Sequence, residues 1–480
     1  MALVGYQHLV TGQLLGPLKR STRCLTHRKF ERPLHSRFLA VSVARSAYVA
    51  GPFFPNTTPR IRSFTRQHAT LQMSRPADAF SVAPMMDVTD NHFRTLCRLL
   101  SKHALLYTEM VVDSTLVYNA SNADHWLAFH PAQQPIVLQL GGSDPQKMRA
   151  AAEIAAPYGY SAININCGCP SDRVAGRGCF GAALMKDAPG VAALCRAIAE
   201  VVPASTPITV KCRLGVDDLD TYSFARDFVQ VVSENAPVRH FIIHARKAYL
   251  KGLSPAENRT VPPLRYDRVL ALARDFPHLH FSINGGIRTM PQVRHFLDTE
   301  HLYGVMVGRA VMNHPWEALA GVDAVIFGDD SCAQRTRRDV LQAYGAYVDK
   351  QLHAASIYGQ ETDERESCSR GSQWTPSLHV LLKPILNLFW GVPRSKEWRK
   401  RVQQATDEQT RIRRNSSVKS NFSWETFLPQ VAESTLDPWY VNTTWMAMQS
   451  ESETAAPEDC NNNSAHIDSP ASTAITSIAY

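Results

Sequence analysis

Residues 161–170 read SAININCGCP. A short, β-branched apolar run ends here on polar and sulfur-bearing residues, the pattern of a strand whose C-terminal end carries chemistry. The same form recurs past residue 76, as FSVAP (80–84), ALLYTEM (104–110), PIVLQLGG (135–142), SAININCG (161–168), PITVKCR (207–213), HFIIHAR (240–246), HFSINGG (280–286) and GVMVGR (304–309). Amphipathic stretches lie between them, such as 90–102 and 220–234, with apolar residues three and four apart. Strands alternating with helices predict a parallel sheet covered on both faces. Eight such units in a row fit an α/β fold of the (β/α)8 TIM-barrel class, a doubly wound open sheet being the alternative.

In such a barrel, chemistry sits at the C-terminal strand ends. Those ends are Pro84, Met85 and Met86; Glu109; Gln139; Asn166 to Cys169; Lys211 and Arg213; His244 and Arg246; Asn284, Gly285 and Gly286; and Gly308 with Arg309. The last two are the most specific. The glycines of INGGIR let backbone amides approach an anion, and Arg309 after VG offers a guanidinium to a phosphate. A phosphate-bearing cofactor or substrate is the expected occupant. Neither a dinucleotide fingerprint of the G-x-G-x-x-G kind nor a P-loop occurs.

Cys167, Cys169 and Cys179 fall within thirteen residues. C-x-C with a lone third cysteine falls short of a zinc set, no histidine lies between His130 and His240, and the C-x-x-C of a redox pair is missing. No metal site is therefore expected. One working thiol remains. Gly168 permits a tight turn and Pro170 stiffens its exit, which presents Cys169 at the barrel mouth. A thiol of ordinary pKa, about 8.5, is mostly protonated near neutrality and can act as a general acid. Cys167 reads as a small packed hydrophobe.

Twelve of the 51 Lys and Arg but only one of the 43 Asp and Glu lie in residues 1–75, giving that segment +11 and the remainder −3 within a total of +8. An Arg-rich, acid-poor leader has the composition of an organellar transit peptide, for mitochondrion or plastid. A basic nucleic-acid-binding arm is the alternative, and Met73 offers the start of a shorter, cytoplasmic product. The split also removes global charge as an argument that the body binds RNA. No run of about 18 apolar residues is present, so no membrane span is expected.

SVAPMMDVTD, LLYTEMV, VLQLGG, NCGCPSDRV, FGAALM, ITVKCRLG, FIIHARKAYLKGLSPAENR, SINGGI and GVMVGRA follow one another over about residues 78–320. Together they resemble the tRNA-dihydrouridine synthase family, most closely its A-type branch, the tRNA-dihydrouridine(20/20a) synthases. LNLFWGVPRSKEWRK (386–400) resembles part of that family's C-terminal helical domain. The resemblance implies an FMN-binding barrel (76–327), a smaller all-α tRNA-binding domain (328–433) with a polar insertion at 358–375, and disordered ends at 1–75 and 434–480.

It implies NADPH as reductant, D-loop uridines of tRNA as substrate, and a monomer. Pro84, Met85 and Met86 would line the isoalloxazine, and Gln139, Lys211 and His244 would bond the ring and ribityl region. Asn284, Gly285, Gly286, Gly308 and Arg309 would hold the phosphate. Hydride would pass from flavin N5 to uracil C6, Cys169 would protonate C5, and Asn166 would contact flavin and uridine. The loop bearing Arg246, Lys247, Asn258 and Arg259, with Lys396 and Arg399 of the helical domain, would meet the tRNA. The departures are a segment AGRGC one residue longer than the common bacterial form and a looser C-terminal region. Two rivals remain open at this point: a flavin barrel reducing a small molecule, and a non-catalytic tRNA-binding protein.

Overall fold

The chain's structure, a computed structural model, describes residues 75–171, 174–175, 179–358, 376–414 and 422–454. Apart from Arg75 and Tyr358, the expected leader and polar insertion lie outside the described residues, as do 415–421 and the tail from 455.

Eight parallel strands close into a barrel in chain order. They are β1 (Phe80–Val82), β2 (Leu105–Val112), β3 (Ile136–Gly141), β4 (Ala162–Cys167), β5 (Ile208–Arg213), β6 (Val238–His244), β7 (His280–Asn284) and β8 (Gly304–Val307). Closure is made where β1 meets β8, with Phe80 beside Val305 and Val82 beside Val307. Ala83, Leu105, Tyr107, Val137, Ala162, Ile242 and Met306 form a core cluster of their own, the filled interior of an eight-stranded barrel. The larger cluster lies between strands and helices, where each fully buried Leu, Ile or Val contributes about 1.5–3 kcal/mol.

Loops at the mouth end in residues that cap the following helix. Asp90 accepts the His92 and Phe93 amides at 3.0 and 2.8 Å and starts Asn91–Leu100. Asp144 likewise starts Pro145–Ala155, and Thr221 starts Tyr222–Asn235. These caps fix where each loop stops, and so where the strand-end side chains stand.

Beyond the barrel the chain is helical. Arg337–Tyr358 packs on Asn91–Leu100, with Tyr347 Oη 2.6 Å from His92 Nδ1. Gly345 lets Trp424–Glu433 cross closely, because a Cβ there would meet Trp424 O at 2.3 Å. Asp349 caps that second helix from the first, accepting Trp424 and Glu425 amides at 3.0 and 3.1 Å. Lys383 reaches back to the mouth and donates to Asp87 O at 2.6 Å, in the loop that carries Met85 and Met86.

The expectation of a disordered tail from residue 434 is corrected over its first part. Helices Pro438–Asn442 and Trp445–Thr454 occupy it. The reason is packing: the Trp445 ring lies so close over Gly321 that a Cβ would come within 2.2 Å, Val441 is buried, and Tyr440 O accepts from Arg337 Nη1 at 3.1 Å. Composition alone, rich in Ser, Thr and Asn, does not report two anchoring side chains and one anchoring carbonyl.

Candidate active site

The Cys-Gly-Cys-Pro corner is built by one side chain. Asn166, at the end of β4, accepts the amides of both Gly168 and Cys169 on its Oδ1 at 3.0 Å. Its Nδ2 donates to Gln139 Oε1 at 2.9 Å. Gln139 in turn donates to Asn164 Oδ1 at 2.8 Å, and Asn164 to Thr209 Oγ1 at 2.9 Å. Gln139 and Asn164 are fully buried, so the two inner bonds of this chain, Gln139 to Asn164 and Asn164 to Thr209, lie away from water, while Asn166 at its end is half-buried. Cys169 is half-buried, with its Sγ 3.5 Å from Ser171 Oγ. Cys167 is fully buried, and burial pushes its thiol well above the ordinary value. Of the two, Cys169 is the thiol that faces the mouth.

Arg213, named at the end of β5 from the sequence but given no role there, completes the corner. It donates to Gly168 O at 2.9 Å, Lys247 O at 2.9 Å and Asn258 O at 3.0 Å, tying the cysteine turn to the β6 loop. Its signal was present: Lys211 and Arg213 stand two apart on β5, so both project to one side of the strand.

Ladder register brings the expected ligands into one row. Asn166 pairs with Lys211, Arg213 with His244, His244 with Asn284, and Asn284 with Met306. Lys211 Nζ donates to Asn284 Oδ1 at 3.3 Å, and Asn284 Nδ2 to Met306 O at 2.8 Å. Thus Asn284 faces Lys211 as well as the glycine turn beyond it. Desolvation, reinforced by Arg213, lowers Lys211 to about 8. His244 is held well below its usual range by burial and by Arg213, Lys211, Arg246 and Arg309, so it is neutral. Arg309 is lowered by burial and by Arg259, Arg246 and Arg288.

Within that convergence of cations Arg246 Nε is buried without an acceptor. The same place holds Gly285 and Gly286 at φ +114° and +73°, where a Cβ would strike His244 Cδ2 at 2.7 Å and Leu264 Cδ1 at 2.6 Å. A Cβ on Gly308 would lie 3.2 Å from Ala83 Cβ and 3.4 Å from Met85 Sδ. Crowded positive charge beside a glycine-lined turn is an anion site. Pro84 and Met85 are half-buried at the adjoining end of β1, and Met86 is 55% exposed.

The β6 loop divides into working and structural parts. Arg246 donates to Thr260 O at 3.1 Å and to Pro262 O. Lys247 pairs with Asp220 at 3.0 Å and lies 4.6 Å over the Tyr249 ring. Arg259 is exposed, and its carbonyl accepts from Arg309 Nη2 at 3.1 Å. Asn258 corrects its expected place at the tRNA surface. It is 0% exposed, accepts the Tyr249 amide at 2.8 Å, and donates to the Tyr249 and Leu253 carbonyls at 2.9 and 3.2 Å. A side chain so fully engaged clamps the loop and has nothing left for a ligand.

Lys396 and Arg399 lie apart from this ring, on helix Ser395–Arg414, where Arg399 sits 5.7 Å over the Trp390 ring. Among the described residues, His103, Asp323 and Asp329 bring potential metal ligands within 4.8 Å at the opposite, N-terminal end of the barrel. There Asp323 already serves Ser101 Oγ and the Lys102 amide. Among the described residues no helix is long and apolar enough to cross a membrane.

The fold and mouth together are those of a closed (β/α)8 barrel that presents a thiol beside a glycine-lined, positively charged turn at the ends of β7 and β8. A family model described as dihydrouridine synthase (Dus) matches residues 81–423. The tRNA-dihydrouridine(20/20a) synthase of Salmonella typhi is 43% identical over 337 residues, 70% of this chain and 92% of that one. Those of Escherichia coli K12 and Pasteurella multocida are 44% and 47% identical, covering 67% and 62% of this chain and 84% and 88% of theirs. The chain belongs to the dihydrouridine synthase family and is an oxidoreductase.

Proposed function

We propose that this enzyme reduces uridines 20 and 20a in the D-loop of tRNA to 5,6-dihydrouridine, with FMN as its resident cofactor and NADPH as reductant. The observation that carries the reading is the pairing of two features at one mouth: Cys169 held by Asn166, and a glycine-lined cluster of cations around His244, Gly285, Gly286 and Arg309. The identity to named (20/20a) synthases supports that substrate.

The residues present fit FMN. Orphaned Arg246 Nε and the crowded guanidiniums suit the phosphate, while Gln139, Lys211 and Asn284 supply donors and acceptors for the ring. When bound and reduced by NADPH, FMN supplies a hydride to uracil C6. The electron density that then develops at C5 is met by the Cys169 Sγ proton. Asn166 fixes the thiol's position, which converts a collision into a positioned transfer. Lys211 places a cation beside Asn284 and favours negative charge on its ligand.

A uridine stacked in folded tRNA must be turned out to reach this mouth, at a cost of a few kcal/mol. Contacts by Lys247, Arg259, Lys396 and Arg399 offset that cost through the tRNA backbone, whereas Arg246, buried and bonded to Thr260 O and Pro262 O, stays with the anion site. In this reading, barrel 76–327 does the chemistry, helices of 328–433 bind the tRNA, the enzyme acts as a monomer without metal, and leader 1–75 directs it to mitochondrion or plastid. Incubating the chain with unmodified tRNA, FMN and NADPH, then mapping modified positions by mass, tests the substrate assignment. Modification of D-loop uridine 20 or 20a is expected; modification elsewhere only would overturn the site assignment.

A further inference from the structure

The C-terminal helices contain an open cavity of about 430 Å³ that the catalytic reading does not use. Its walls include His314, Glu317, Arg337, Trp390, Trp439 and Tyr440. Its tryptophans are unlike the others nearby. Trp316, Trp398 and Trp424 are 2% exposed or less, whereas Trp390 is 46% and Trp439 38% exposed. Trp390 meets His314 at 5.2 Å and Trp439 meets Tyr440 at 4.9 Å, each pair near perpendicular, and the partly exposed indoles still offer apolar ring surface beside one cavity to a flat partner.

The polar groups identify that partner. Arg337 closes the floor, donating to Leu388 O at 3.2 Å, Tyr440 O at 3.1 Å and Glu317 Oε1 at 3.0 Å, with Nη1 also 3.6 Å from Met448 Sδ, so most of its N–H groups are engaged within the protein. Glu317 remains 52% exposed and turns acceptors, with negative charge, toward the cavity. A carboxylate repels a phosphate and accepts hydrogen bonds from an amino group. Outside, the charge reverses. Arg399 lies 5.7 Å over the Trp390 ring, and Lys396 and Lys400 share its helix face at three- and one-residue offsets. Aromatic faces with a basic track alongside are the footprint of a nucleic-acid strand whose base enters and whose backbone stays out.

We infer that this cavity is a second base-binding site, taking an unpaired nucleobase of the tRNA with an exocyclic amino group, stacked on Trp390 and Trp439 and bonded to Glu317. The inference rests on the tRNA reading above. It makes the helical region a second grip on the substrate, separate from the uridine at Cys169.

The test is the affinity of the full-length chain for an unmodified tRNA transcript, measured for wild type, Trp390→Ala, Trp439→Ala and Trp390→Phe, with unfolding midpoints as a control on the fold. Each alanine variant is expected to weaken binding about ten-fold at an unchanged midpoint, and Trp390→Phe to recover most of it. Wild type should also bind oligo(C) more tightly than oligo(U), a preference that Trp390→Ala removes. Wild-type tRNA binding with unaltered affinity in both alanine variants would overturn the base site and assign the cavity to a protein partner. Equal binding of oligo(C) and oligo(U) would overturn the amino-group assignment. A wild-type chain that does not bind tRNA would overturn this inference and the functional reading together.

Discussion

Asn166 Oδ1 accepts the main-chain amide of Cys169 at 3.0 Å, while Asn166 Nδ2 is held by Gln139 at 2.9 Å. The thiol is therefore aimed by an amide that is itself fixed from a hydrogen-bonded chain whose two inner bonds are buried. Asn166→Ala removes the support and leaves Gln139 Oε1 short of a donor. The rate of dihydrouridine formation should fall by about 10²-fold, as expected for a displaced reacting group. Single-turnover rates with bound tRNA measure the loss directly, and a rate equal to wild type would dismiss Asn166 as the positioning residue.

Cys169 and Cys167 should separate cleanly. Cys169→Ala removes a general acid and is expected to cost about 10²–10⁴-fold in rate. Cys167 is fully buried with its thiol pushed up, so iodoacetamide should leave it unmodified in the folded chain while Cys169 reacts. Cys167→Ala should cost about 1 kcal/mol of stability through a small cavity and keep near wild-type rate. Mass mapping of the alkylated peptide together with turnover decides which sulfur works.

Lys211 titrates near 8 in the folded chain against an ordinary value of 10.5. Between those values the unfolded chain binds the extra proton, so stability relative to Lys211→Met should rise as pH climbs from about 8 to 10. Its cation is present at pH 7 and fades above about 8, so its contribution to FMN affinity of the cofactor-free chain should fade over the same range. Titrations of both proteins against FMN at several pH values give the ratio that isolates this lysine. A ratio flat from pH 7 to 9.5 would exclude Lys211 from the cofactor's charge.

Asn258 and Arg259 are neighbours with opposite expectations. Asn258→Ala strips a fully buried clamp and should lower stability by about 1–3 kcal/mol, leaving the salt dependence of tRNA binding intact. Arg259→Ala should leave stability intact and reduce the log–log salt slope by about 0.7–0.9, one phosphate contact. Chemical unfolding and binding at several salt concentrations read the two effects independently.

Much of this was legible before any coordinates. Apolar runs such as FSV, IVLQLG and ITVKCR cannot be satisfied except as strands buried on both faces, and each strand begins and ends within two residues of its expected bounds. The mouth was legible because barrel topology dictates which strand ends converge. Burial direction was not. ENR looks like a polar surface loop, yet Asn258 turns inward because Tyr249 and Leu253 leave main-chain groups that require partners. Nor could spacing show that Trp445 finds Gly321, or that Trp390 and Trp439, 49 residues apart, line one cavity. Such contacts depend on how the helices cross, and glycines such as Gly345 set that crossing without announcing it.

The most direct test of the central claim is mass analysis of an unmodified tRNA transcript after incubation with the full-length chain, FMN and NADPH, beside Cys169→Ala. Wild type should add the mass of two hydrogens to a D-loop uridine, and Cys169→Ala should retain FMN while adding almost none. A wild-type chain that binds FMN and oxidises NADPH but leaves every uridine unchanged would contradict the account.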